Sequence, residues 1–194
     1  MRMQHEWEKR YQSGETGWDR GAFSPALSTW LETGRIDAGC RMLVPGCGRG
    51  HEVVHLADLG FKVTGIDIAP SAVTHLQQVL QNKGLRAEVL LADLFQFQPA
   101  APFDAIYEQT CLCAIQPKQR ESYEALLHGW LKPGGTLFAL FMQTAAEGGP
   151  PFHCDLLAMR RLFPDARWEW PATEPVFVPH RNGRFELGYQ LVRK

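Results

Sequence analysis

The residues most able to do chemistry stand early in the chain, in Gly46-Cys47-Gly48-Arg49-Gly50, with Asp67 one apolar run farther on. Glycines let a backbone turn tightly and approach a ligand where a side chain would otherwise stand. A carboxylate at the end of the following strand can accept hydrogen bonds from vicinal ribose hydroxyls. Together they predict a site for an adenosine compound; the plain alternative is a tight turn with a helix-capping aspartate. Nicotinamide dinucleotides favour Gly-x-Gly-x-x-Gly, with a helix N-terminus facing the pyrophosphate. The loop here is the tighter Gly-x-Gly-x-Gly, which offers no phosphate cradle and suits S-adenosylmethionine, whose ribose carries a sulfonium and an amino acid. Asp93, in Leu91-Ala92-Asp93-Leu94-Phe95, is expected at the end of a third strand, where it would accept from the adenine amino group beside Leu94.

These residues need elements to hold them, and the apolar pattern supplies an alternation. Met42 to Val44 reads as a strand before Pro45-Gly46, and His51 to Leu59 as a helix stopped by Gly60. Lys62 to Asp67 is a second strand; Pro70 then opens a helix striped with Ala72, Val73, Leu76, Val79 and Leu80 as far as Gly84. Glu88 to Ala92 and Phe103 to Tyr107 are further strands, and Pro117 to Leu131 a helix closed by Pro133-Gly134-Gly135. Thr136 to Met142 is nearly all apolar, as befits a strand covered on both faces. Alternating strands and helices imply an α/β parallel sheet. Arg161 to Lys194 differs, with two extended runs around Trp168 and Phe185, and reads as an antiparallel edge hairpin.

Composition narrows the partners. The 194 residues carry 20 Lys+Arg against 21 Asp+Glu, a net charge of −1, so there is no basic surplus for gripping nucleic acid. No apolar stretch approaches the roughly 20 residues that cross a bilayer, and the amino end has no secretory pattern, so a cytoplasmic protein without a membrane partner is expected. The five cysteines form no Cys-x-x-Cys and no Cys/His cluster at zinc spacing, so no metal is expected. Buried packing is the usual fate of such thiols, Cys111 and Cys113 included.

Several longer segments resemble one family. Leu43-Val44-Pro45-Gly46-Cys47-Gly48-Arg49-Gly50, Gly65-Ile66-Asp67, Phe103-Asp104, Cys113-Ala114-Ile115, Leu131-Lys132-Pro133-Gly134-Gly135 and Gly148-Gly149-Pro150-Pro151 are similar to the thiopurine, thiol and halide methyltransferases over almost the whole chain. Arg181-Asn182-Gly183-Arg184-Phe185-Glu186-Leu187-Gly188 resembles the family's last hairpin. The resemblance implies a Rossmann-like class I methyltransferase: a mostly parallel seven-stranded sheet with helices on both faces and an antiparallel C-terminal hairpin. It implies one domain over 1–194, with 1–35 as a lid segment and 36–194 as the core, acting as a monomer or homodimer. S-adenosylmethionine is the implied donor, and a small soft nucleophile such as a thiol, thiopurine, halide or related chalcogen compound the acceptor. Carried over by position, the cofactor residues are Trp7, Tyr11, Trp18, Gly46, Cys47, Gly48, Gly50, Asp67, Ile68, Asp93, Leu94 and Gln109; the acceptor pocket takes Cys111, Phe152, His153 and Arg181. The chain departs from the family after the fourth strand, where Glu108-Gln109 replaces Asp followed by Tyr or Arg, and at Tyr11, where plant-type members carry Trp. It also has Phe152 where a Tyr commonly follows Gly-Gly-Pro-Pro.

Methyl transfer from a sulfonium disperses positive charge, so the enzyme chiefly aligns nucleophile, methyl and leaving sulfur in a dry pocket. The ring faces of Trp7, Tyr11 and Trp18 can attract the sulfonium. Glu108 and His153 are the weak candidates for a proton acceptor, and no catalytic side chain is expected to be indispensable. The chain has no Asn-Pro-Pro-Tyr type of signature after the fourth strand, which argues against methylation of DNA bases or glutamine amides. Two other readings remain: a protein that binds S-adenosylmethionine without small-molecule turnover, and a nicotinamide-dependent reductase.

Overall fold

A computed structural model describes all residues except Met1, Gly34, Arg35, Asp37, Ala38, Arg181 and Asn182. The chain forms two compact units, Met1–Gln98 and Pro99–Lys194.

The first unit is built on three parallel strands, β1 (Arg41–Pro45), β2 (Lys62–Asp67) and β3 (Glu88–Leu91), with β2 central. Helices α1 (Arg2–Ser13), α2 (Pro25–Glu32), α3 (His51–Asp58) and α4 (Pro70–Lys83) complete it. Strand β2 buries every residue from Val63 to Asp67, as a strand covered on both faces must. The sequence reading of α4 holds at both ends: Pro70 occupies its first turn and Gly84, at φ +66°, closes it in the left-handed conformation. Its buried stripe is Ala72, Val73, Leu76 and Leu80.

The second unit centres on β5 (Leu131–Gln143), flanked by β4 (Phe103–Glu108) in parallel and β8 (Phe185–Arg193) antiparallel. Strands β6 (Trp168–Glu169) and β7 (Val176–Pro179) both pair antiparallel with β8, and helices α5 (Arg120–Trp130) and α6 (Leu156–Leu162) cover the unit. The seven strands expected are β1 to β6 and β8; β7 is an additional hairpin arm. Strand β5 starts earlier than expected, because Leu131 already pairs with Phe103 and the register shifts before Ala105 meets Thr136. Pro133-Gly134-Gly135 is therefore an irregularity inside the strand rather than a loop before it. Helix α6, missed in the sequence reading, is capped by Asp155, whose side chain accepts from the Ala158 N–H at 2.9 Å.

Candidate active site

The glycine loop sits between β1 and α3. Gly48 (φ +54°) and Gly50 (φ +74°) are in the left-handed region, and both are crowded. A Cβ on Gly48 would stand 2.9 Å from the Tyr11 hydroxyl, and one on Gly50 would run into the Leu76 side chain. The loop's amides are spent inside the protein: Cys47 N–H donates to Ile66 O, Gly50 N–H to Cys47 O and Gly48 N–H to Asp67 Oδ2 at 2.8 Å. A loop that uses its N–H groups this way has few left for a pyrophosphate. It presents glycine backbone at its crest, which accommodates a nucleoside that brings no phosphate.

Asp67 ends β2 in a buried position. Its Oδ1 accepts from Ala69 N–H at 2.9 Å while Oδ2 holds Gly48, so the carboxylate ties strand end to loop. Burial pushes its pKa up against the pull of these main-chain bonds. A carboxylate has about four acceptor positions, so room for ribose hydroxyls remains. Ile68 beside it is half-buried. Asp93 lies two residues beyond β3 rather than at its end, and its Oδ1 accepts from Phe95 N–H at 3.0 Å, a bond that caps the turn; Leu94 is half-buried next to it.

Helix α1 brings Trp7 and Tyr11 together with Trp18. The Trp18 ring stands edge-on to both, 5.4 Å from Trp7 and 5.6 Å from Tyr11 between centroids. Burial, with Asp67 nearby, raises the Tyr11 pKa, so the phenol stays protonated over the loop. Two anchors hold this segment that the sequence did not reveal. The first is Glu8, which accepts from Ser71 N–H at 2.9 Å and Ser71 Oγ at 2.5 Å. The N-cap position of α4 is Ala69, which has no side-chain oxygen, so a carboxylate from α1 caps α4 instead. Although burial opposes it, these bonds and one from Gln12 leave the Glu8 pKa below its ordinary value. The second anchor is Asp19, whose carboxylate meets His51 Nε2 at 2.8 Å, Arg49 at 3.2 Å and Gly21 N–H at 2.8 Å. Only long-range pairing reveals either residue.

The second unit gathers the expected acceptor residues around buried carboxyl groups. Glu108, at the end of β4, has one oxygen accepting from Leu112 N–H at 2.5 Å and the other buried without a partner. Burial, reinforced by Glu186 and countered by Leu112 and Arg120, lifts its pKa to about 8, so it is largely protonated at neutral pH. Gln109, expected at the cofactor, here bridges Tyr107 and Glu186: Tyr107 OH donates to its Oε1 at 3.0 Å and its Nε2 donates to Glu186 Oε2 at 3.1 Å. Arg120, 7% exposed, donates to His153 O at 3.1 Å and Phe152 O at 3.4 Å and so pins the segment after the double proline. His153 Nδ1 accepts from Thr144 N–H at 3.1 Å. That bond makes Nε2 the protonated nitrogen of the neutral ring, a donor rather than a base. Cys111, Cys113 and Cys154 are buried, and burial pushes the Cys154 thiol up to about 12. Arg181 lies outside the described residues. Among the described residues no group of His, Cys, Asp and Glu could hold a metal ion, and no helix is long and apolar enough to cross a membrane.

Comparison with known proteins accords with this geometry. The sequence pattern of the thiopurine S-methyltransferase family matches residues 2–188. Thiocyanate methyltransferase 1 of Arabidopsis thaliana is 32% identical over 187 residues, covering 94% of this chain and 82% of that protein. A thiopurine S-methyltransferase of Azotobacter vinelandii is 30% identical over 196 residues, covering 92% and 89% respectively. Among solved structures, the 1,6-didemethyltoxoflavin-N1-methyltransferase of Burkholderia thailandensis, crystallised with S-adenosylhomocysteine, superposes with a TM-score of 0.76 at 19% identity over 99% of this chain and 87% of its own. A match of this extent, over a chain that carries the glycine loop and its carboxylate, is conclusive: the chain belongs to the thiopurine S-methyltransferase family and is an S-adenosylmethionine-dependent methyltransferase.

Proposed function

We propose that this enzyme methylates the sulfur of a small thiol or related soft nucleophile, with S-adenosylmethionine held at the glycine loop of the first unit. One observation carries the donor half of this reading. The amides of Cys47, Gly48 and Gly50 are spent internally while the Tyr11 hydroxyl stands over Gly48 and Trp18 packs edge-on against both Tyr11 and Trp7, which suits a sulfonium and not a pyrophosphate. In this reading Gly46, Gly48, Gly50 and Cys47 face the donor, Asp67 and Ile68 its ribose, and Asp93 and Leu94 its adenine. Residues 1–35 serve as the lid of a single methyltransferase domain. The donor, when bound, supplies an electrophilic methyl group whose departure leaves a neutral thioether.

The chain's own contribution is alignment and exclusion of water. Arg120 fixes Phe152 and His153 for the acceptor, and the thiols of Cys111 and Cys113 line a dry interior. The near-neutral charge favours a small-molecule partner over nucleic acid or membrane, in a cytoplasmic monomer or homodimer. Calorimetric titration with S-adenosylhomocysteine and with NADH tests the donor assignment: saturable binding of the first and none of the second is expected, and the reverse would refute it.

A further inference from the structure

One group of residues in the second unit has no part in the reading above. Strand β8 places Glu186 opposite Met142 of β5 on one side and Val178 of β7 on the other, with no exposure at all. A carboxylate between two flanking strands costs several kcal/mol in lost hydration unless its neighbours compensate, and such positions concentrate at functional sites. The compensation here comes from donors that converge on one oxygen. Gln109 Nε2 donates to Oε2, and Gln109 is itself oriented by Tyr107 OH. His180, the residue after β7, meets the same Oε2 through Nε2 at 2.7 Å. Glu186 Oε1 is buried without a partner.

The direction of each bond follows from chemistry. A carboxylate only accepts, so the proton of the His180 ring resides on Nε2 and the Nδ1 lone pair is free. Among the described residues Nδ1 has no hydrogen-bond partner, and the His180 side chain retains 12% exposure. An imidazole fixed by a buried carboxylate at one nitrogen and open at the other is the arrangement that hydrolases use to take a proton from a nucleophile. His153 cannot do this, since its Nδ1 is occupied by Thr144, and Glu108 is already protonated at neutral pH.

We propose that His180, oriented by Glu186 and Gln109, is a general base that accepts the proton of an acceptor thiol bound in its neutral S–H form. The inference rests on the function proposed above and narrows its substrate class to weakly acidic thiols. The S–H bond breaks, its proton goes to His180 Nδ1 and its electron pair stays on the acceptor sulfur. That pair forms the new bond to the methyl carbon as the carbon–sulfonium bond breaks and its electrons pass to the leaving thioether sulfur. The proton then leaves Nδ1 for water, so one thiol yields one methyl thioether and one released proton. Glu186 and Gln109 are positioning residues, because they act through His180.

The test compares two acceptors at one near-neutral pH. A simple alkyl thiol, with a pKa of about 8.5, is mostly S–H there, whereas an acidic aryl thiol is already ionised. His180→Gln keeps a donor towards Glu186 but cannot take a proton. It should lower kcat/KM for the alkyl thiol by about 100-fold, at the low end for a lost general base, and the alkyl-to-aryl ratio by at least about tenfold. Glu186→Gln should shift the ratio in the same direction by less. Nitrogen NMR of the histidine rings, assigned by His180→Gln, gives a readout without turnover: His180 should be the Nε2–H tautomer in the folded protein. Equal losses for both thiols in a folded variant, or an Nδ1–H tautomer, would overturn the base. If the wild type methylates neither thiol, the proposed function falls and the base falls with it.

Discussion

Two buried carboxylates, Asp67 in the first unit and Glu186 in the second, are held in opposite ways. Asp67 is surrounded by main-chain N–H groups of its own loop and strand end, at Gly48 and Ala69. Glu186 is held by side chains, Gln109 and His180, that reach it from just beyond β4 and just beyond β7, and it keeps one oxygen unpartnered. Main-chain recognition depends on backbone shape, which glycines and a strand end determine locally, so any sequence with that loop builds the same cradle. Side-chain recognition depends on which residues occupy distant positions, and each can change alone. In the proposed reading, the donor cradle therefore rests on backbone shape and the acceptor side on side-chain identity.

The largest effect expected concerns the donor half. Removing residues 1 to 18 takes away three aromatic rings and the Glu8 cap of α4. With cation–π contacts of about 0.5–2 kcal/mol each, affinity for S-adenosylmethionine should fall by roughly 100-fold, read by calorimetry on a protein that still melts cooperatively. Unchanged affinity would return these rings to plain packing. Next comes Asp67→Ala, which should weaken donor binding by about 1.5–3 kcal/mol, since it removes both a charge-assisted partner for ribose and the tie to Gly48. Asp67→Asn separates the two roles: its amide oxygen can still accept from one main-chain N–H, so it should melt closer to wild type while binding remains weak.

How much of this was legible in the sequence follows the same division. Helix α4 could be read from Pro70, its apolar stripe and Gly84, because start, face and stop are all local signals. That the glycine loop lies between β1 and α3 and that Asp67 ends β2 was legible for the same reason. Glu8 was not, because its partner Ser71 lies 63 residues away and nothing near Glu8 marks it as the cap of another helix. Asp19, 32 residues from His51, was hidden likewise. Gln109 was assigned to the donor from its place after β4, yet its amide is engaged by Tyr107 and Glu186, a pairing across 77 residues that no local pattern encodes. The strand start at Leu131 was missed because Pro and Gly ordinarily end an element, and only the pairing with Phe103 shows the strand passing through them.

A smaller effect tests the electrostatics of the second unit. The Glu108 pKa, raised to about 8 in the fold, lies above that of an unfolded glutamate, so the folded state holds the proton more tightly. Stability from this group is fully present below the unfolded pKa and is lost as pH rises through about 8. Thermal melts of the wild type should therefore fall between pH 5 and 9 by several degrees, on the order of 2–4 °C per kcal/mol. Glu108→Gln, which mimics the protonated form, should flatten that dependence. A wild-type profile as flat as the variant's would show that Glu108 ionises freely and that burial is not the controlling force.

The most direct test of the whole account is transfer itself. Incubate the wild type with S-adenosylmethionine labelled in its methyl group and a panel of small thiols, and follow labelled product and S-adenosylhomocysteine together. A labelled methyl thioether formed in equal amount with S-adenosylhomocysteine is the predicted result; saturable donor binding with no labelled sulfur product from any thiol would contradict it.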